Sequence, residues 1–171
     1  FYVTQMLVYV DDQQVNFNIT NHSMSSSTLN LDLHSVYYPD IKINKKINLL
    51  SQRFDRFAKD EKIEISKYDF INIDIQGSEL YALKGFGDLI RQIKFIYTEI
   101  NIGHLYESCP LLDEMDQFLG ANGFKRVELS LTNSGWGDAF YIRADIQKEE
   151  LLSQAEEVKK LIEDFKLRII K

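Results

Sequence analysis

The sequence predicts an α/β fold: a sheet flanked by helices, with an antiparallel hairpin at one edge. Three observations carry this expectation. Residues 68–75 and 94–101 are apolar runs rich in Phe and Ile that end in polar groups, as buried strands do. Each is followed by a segment with helical apolar spacing. Two further strand-like runs, 124–131 and 138–143, flank the tight Asn133-Ser134-Gly135-Trp136-Gly137 turn.

The elements follow in order. Residues 6–10 and 14–20 read as the two strands of a hairpin, with Asp11-Asp12-Gln13 as its turn. A polar loop, residues 21–27, holds a serine run that either contacts a ligand or is simply loop composition. Residues 43–50 look extended. Residues 52–59 look helical, with Phe54, Phe57 and Ala58 on one face and Ser51 as N-cap. The strand at 68–75 leads into a helix over 78–91 that buries Leu80, Leu83, Leu89 and Ile90, with Gly85 and Gly87 in its middle. After the strand at 94–101, a helix over 111–122 starts behind Pro110 and is closed by Gly123 at the C′ position.

Two units are expected: residues 1–146 as an α/β domain and 147–171 as a C-terminal helix. Leu151, Ala155, Val158, Ile162, Phe165 and Ile169 step by 4, 3, 4, 3 and 4 residues, which is a heptad seam. It reads either as an amphipathic helix packed on the domain or as a short coiled coil for self-association or an adjacent domain. The chain opens on Phe1 in what looks like mid-element, which reads as part of a longer polypeptide.

Composition narrows the function classes. With 44% apolar and 27% charged residues, the chain has an ordinary globular make-up, and its 171 residues bury one core. A formal charge of −6 argues against a general nucleic-acid binder, which needs a basic footprint. No apolar run reaches membrane-spanning length. Cys109 is the only cysteine, so no internal disulfide forms, and a cytoplasmic location is expected. No His, Cys or Asp cluster has metal-ligand spacing, so no metal is expected.

The stretch with most chemistry is Asp69-Phe70-Ile71-Asn72-Ile73-Asp74-Ile75-Gln76-Gly77-Ser78-Glu79-Leu80. It reads as a strand that stops at an acid, turns on a glycine and enters a helix. Ligands of open α/β sheets bind at the carboxyl ends of strands. Asp74, Gln76 and Glu79 are therefore placed for chemistry. Equally, Asp74 could close a strand and Glu79 complement the N-terminal dipole of the next helix.

Read together, the segments resemble the C-terminal half of FkbM-type methyltransferases, which use S-adenosylmethionine. The matching pieces begin with Val15-Asn16-Phe17-Asn18-Ile19, Ser25-Ser26-Ser27-Thr28-Leu29, and His34 with Tyr38-Pro39. Residues 68–80 with Leu83-Lys84-Gly85 follow, then Ile96-Tyr97-Thr98-Glu99 and Leu105-Tyr106. Leu112-Asp113 to Phe118-Leu119, Gly123-Phe124 and Gly135-Trp136-Gly137-Asp138-Ala139 close the series. Each piece is weak alone; their order over residues 14–143 is specific.

The resemblance implies a Rossmann-like class I methyltransferase sheet, mostly parallel with an antiparallel edge hairpin. It also implies methyl transfer to a hydroxyl of a sugar or another secondary metabolite, a small-molecule or glycan acceptor. The strand ending at Asp74 would be the fourth strand, and that ending at Glu99 the fifth. Asp74, Gln76 and Gly77 would then face the methyl donor. Glu79, Asn101 and Trp136 would face the acceptor, and Asp74, Glu99 and His34 are the candidate bases. The other readings are an ion-paired strand end for Glu99, a surface loop residue for His34 and a plug at the sheet end for Trp136. His22 and His104 read as solvated.

Two departures stand. The family's glycine-rich turn that cradles the donor, and the later acid that holds its ribose, are not found among the eight glycines and their neighbours. The stretch Val8-Tyr9-Val10-Asp11-Asp12 lacks the usual small residue before its acid. The sheet is thus expected to be incomplete on its N-terminal side, leaving the strand at 68–75 with an open edge and the chain by itself a poor donor binder. The alternative reading is a non-catalytic interaction module on a degenerate methyltransferase scaffold.

Overall fold

The computed structural model describes residues 7–146. Strands β1 (Leu7–Val8), β2 (Gln14–Thr20) and β3 (Ile43–Gln52) make a three-stranded sheet in the order β1-β3-β2. β2 runs antiparallel to β3, from Gln14 opposite Leu50 to Thr20 opposite Ile43. β1 lies parallel along the other side of β3, with Leu7 opposite Ser51. The hairpin expected between 6–10 and 14–20 is therefore not formed, because both segments pair with a strand some thirty residues further on.

Asp11-Asp12-Gln13 carries the chain across the end of β3 instead. Ser51 is fully buried there, and its hydroxyl donates to the Asp11 carbonyl at 2.7 Å. The Gln13 N–H donates to the same hydroxyl at 3.2 Å. Asp12 accepts the Arg53 N–H at 2.7 Å and pairs with Arg56. Ser51 is thus a clamp on this crossing and not the expected N-cap; α2 (Phe54–Asp60) starts behind Arg53 with no side-chain cap.

The second sheet contains β4 (Phe70–Ile73), β5 (Phe95–Asn101), β6 (Phe124–Leu131) and β7 (Trp136–Arg143), in the order β4-β5-β7-β6. β4 and β5 are parallel, and β7 is antiparallel to both β5 and β6. Two of the five strand pairings among the described residues are parallel, so the expected mostly parallel arrangement is corrected. The cause is the terminal hairpin. It inserts β7 between β5 and β6, which adds two antiparallel pairings, and β2 with β3 adds the third. The far side of β4 carries no strand among the described residues.

Four helices complete these residues: α1 (His34–Tyr37), α2, α3 (Glu79–Lys84) and α4 (Leu112–Ala121), beside short 3₁₀ turns. The single helix expected over 78–91 is two pieces, α3 and a 3₁₀ turn over Gly87–Gln92. Gly85 lies at the break because a Cβ there would meet the Tyr9 carbonyl oxygen at 2.2 Å. α4 ends at Gly123, whose φ of +88° suits glycine at a helix terminus. The heptad expected over 147–171 falls outside the described residues. Among those described, no helix is long and apolar enough to cross a membrane.

β5 is the axis of the core. On one face, Ile96 and Ile100 pack with Leu80 and Leu83 of α3 and Met115 and Leu119 of α4. On the other, Phe95 meets Phe70, Phe140 and Ile142. Side chains alternate along a strand, so Tyr97, Glu99 and Asn101 follow Phe95 on that second face. The register aligns Asn72 with Tyr97, and Asp138 with Glu99. One sheet face is therefore aromatic at its base and polar at its top. Gly137 secures the hairpin beneath that polar patch, since a Cβ there would lie 2.0 Å from the Ser130 carbonyl oxygen. Gly137→Ala is expected to destabilise the fold by about 2 kcal/mol or more in urea denaturation; an unchanged midpoint would mean that β6 shifts freely.

Candidate active site

At the end of β4 the chain turns through two left-handed residues, Gln76 at φ +59° and Gly77 at φ +91°. Glycine serves the second because a Cβ would also press on Tyr106 and Cys109, at 3.1 and 3.2 Å. Gln76, a non-glycine residue in that conformation, is held by four partners. The Ser27 hydroxyl donates to its carbonyl at 2.7 Å, and the Tyr106 hydroxyl donates to its Oε1 at 2.7 Å. Its Nε2 donates to Asp74 Oδ1 at 2.7 Å and to Glu99 Oε2 at 3.2 Å. The amide therefore bridges two carboxylates while a buried tyrosine fixes which end is which. Strained backbone held by many partners is characteristic of functional turns.

Glu79 folds back under this turn. Its Oε1 accepts the N–H groups of Ile75 at 2.9 Å and Gly77 at 3.1 Å, and the residue is 3% exposed. Asp74, Glu79 and Glu99 bring carboxylate oxygens within 4.8 Å of one another. Such crowding suppresses ionisation. Burial, followed by the charges of Glu79 and Asp74, raises the Glu99 carboxyl far above the usual carboxylate range. Glu79 is raised as well, chiefly by burial and against three backbone donors, its own N–H and those of Ile75 and Gly77. The two buried members, Glu79 and Glu99, share protons, and Asp74 is the exposed one.

A cavity of about 620 Å³ opens over the polar end of the sheet, in the size range of small-molecule sites. Asp74, Gln76 and Glu99 line it together with His34, Tyr106 and Trp136. His34 is 4% exposed and packs on the rings of Tyr38 and Tyr106, with centroids 4.9 and 5.3 Å away. Burial holds its pKa below the usual histidine range, so the ring is neutral near pH 7. A second hollow of about 1100 Å³ runs along the open edge of β4, over Phe70, Ile71 and Ile73. Met24, Asn72, Ile73, Asp74 and Gln76 line both, so Asp74 and Gln76 stand on the wall between the two.

The chain matches the methyltransferase FkbM domain over residues 4–126, most of its length. It belongs to this methyltransferase family. No curated protein and no solved structure matches it. The FkbM-domain match spans His34, the Asp74 turn, Glu99 and Tyr106, and ends before Trp136 and Asp138.

The structure brings five of the expected site residues of this FkbM domain to one cavity: Asp74, Gln76, Glu99, His34 and Trp136. Gly77, Glu79 and Asn101 do not line it. Gly77 forms the turn, Glu79 locks that turn from below, and Asn101 is 1% exposed at the end of β5. The serine run proves to be a tie: Ser27 holds Gln76, and Thr28 bonds Ser78 at 2.5 Å. Tyr106, Asp138, Tyr97 and Tyr38 were not singled out as site residues. Tyr106 and Asp138 sit in segments that match the family, but no spacing signal distinguishes a cavity tyrosine from a core one. No glycine-rich turn follows a strand in the way that would cradle a donor among the described residues.

Proposed function

We propose that this chain carries the acceptor side and reaction wall of an S-adenosylmethionine-dependent O-methyltransferase acting on a hydroxyl of a sugar or related small molecule. One observation carries the reading: Asp74 and Gln76 line two hollows at once. Two reactants placed on opposite sides of that wall meet at the Asp74 carboxylate, which is the positioning that bimolecular group transfer needs. The fold supports it too, because Asp74 ends β4 beside the parallel β5, where α/β sheets bind ligands.

The described residues fit the donor in part. Asp74 and Gln76 would stand beside the sulfonium, and Ser26, Thr28 and Ser78 line the same edge hollow with polar groups. When bound, S-adenosylmethionine supplies an activated methyl group and leaves as the neutral thioether. The protein's own share is orientation and proton removal. Asp74, exposed and held on one oxygen by the Gln76 amide, is the residue that would take the proton from the acceptor hydroxyl. Glu99 keeps its proton, so proton removal within the set falls to Asp74. His34, neutral, is the alternative acceptor of that proton.

The test is methyl transfer by the full-length protein from isotopically labelled S-adenosylmethionine to simple glycosides. Label in the product and release of S-adenosylhomocysteine are expected. Donor binding without any transfer across hydroxyl, amine and carboxylate acceptors would favour the non-catalytic module.

A further inference from the structure

The cavity over β5 and β7 has a one-sided chemistry that the donor does not account for. Glu99 and Asp138 line it and are absent from the edge hollow beside β4, so the protonated Glu99 carboxyl and the Asp138 carboxylate face the acceptor side alone, while Asp74 is shared by both hollows. No Lys or Arg among the described residues lines the cavity. Its walls are aromatic. Trp136 Nε1 donates to the Tyr38 hydroxyl at 3.3 Å, and that hydroxyl donates to Ser134 Oγ at 3.4 Å, which sets two rings as one wall. Tyr106 stands at another side, anchored on Gln76. His34 supplies an independent sign of a missing partner: it is 4% exposed, and its Nδ1 has no hydrogen-bond partner among the described residues.

Buried polar atoms are nearly always bonded, so the buried, unpartnered Nδ1 of a ring that lines the cavity leaves this wall one hydrogen-bond donor short. Carboxylates beside tyrosine and tryptophan faces favour a cation that can be both paired and stacked. An anionic acceptor would meet like charge with no compensating base. We propose that the cavity takes an amino sugar, whose protonated amine lies between the Asp138 carboxylate and the Tyr38–Trp136 wall, and that it rejects acidic sugars. This rests on the methyl-transfer reading only for what happens to the neighbouring hydroxyl; the charge preference stands on the cavity itself.

Trp136 is the only tryptophan of the chain and lies in the cavity wall, so its fluorescence reports occupancy directly. The full-length protein is titrated without donor using the methyl glycosides of glucosamine, glucose and glucuronic acid. The three probes differ chiefly in charge. The amine is expected to bind at least roughly tenfold more tightly than the neutral sugar, and the acid not to saturate. Asp138→Asn should reduce that preference to about threefold or less, and the half-buried Asp138 is a position where the change is least apt to disturb the core.

Equal binding of the acidic sugar, or an amine preference untouched by Asp138→Asn, would overturn the proposal. So would saturation by magnesium chloride at lower concentration than the amine, which would assign the carboxylates to a metal. Amine binding with no methyl transfer would sink the enzymatic reading and leave this one standing. Transfer to neutral or acidic sugars in preference to amines would do the reverse.

Discussion

Asp74→Asn is expected to lower methyl transfer by roughly 10²- to 10⁴-fold while leaving the fold intact. The substitution removes one proton-accepting oxygen and preserves shape. Asp74 is exposed at the end of β4, and its side chain accepts a hydrogen bond from the Gln76 amide. An asparagine can still accept that bond, so thermal unfolding should change little. The substitution also removes one of the charges that hold Glu99 protonated, so the Glu99 carboxyl should titrate at lower pH in the variant. Steady-state kinetics with labelled donor, read beside a melting curve, separates the two effects. A rate within threefold of the parent would take Asp74 out of the proton transfer and leave His34 as the base.

Glu99→Gln is expected to make the protein more stable at neutral pH. The physical argument is linkage. In the folded state the Glu99 carboxyl keeps its proton because of burial and the neighbouring Glu79 and Asp74 charges. In the unfolded chain an ordinary glutamate loses that proton above about pH 4.3. The folded state then binds more protons than the unfolded one, and stability falls as pH rises from that value toward the raised folded value. Glutamine cannot ionise, so the decline is absent from the variant. The two proteins should melt alike near pH 4, whereas near pH 8 the variant should melt higher by at least about 3 °C. A variant that melts lower at pH 8 would show an ionised, well-paired Glu99 and overturn the shared-proton description.

Both expectations stem from a cluster that chain spacing conceals. Asp74 and Glu79 lie one turn apart in sequence, and Glu99 enters only because β5 pairs parallel to β4. Asp74 was legible as a strand-end acid because an apolar run stops there. The long second strand and the helix behind Pro110 were legible for similar reasons: their periodicity is local and their boundaries carry Pro and Gly. The hairpin assigned to 6–10 and 14–20 failed because strand pairing is a long-range choice. β3 satisfies both segments at once, and two apolar runs close in sequence need not face each other.

By itself, then, the sequence determined the alternation of strands and helices, the family, and the acid at the end of β4. Local propensity, turn chemistry and ordered motifs are all written along the chain. Only the tertiary structure decided that Glu79 braces a turn, that the serine loop and Tyr106 clamp Gln76, and that Glu99 and Asp138 face one cavity with His34 and Trp136. Those roles depend on which side of a sheet a residue faces and on what lies across from it. Burial and charge proximity arise only when distant segments pack, and they turned five scattered side chains into a site.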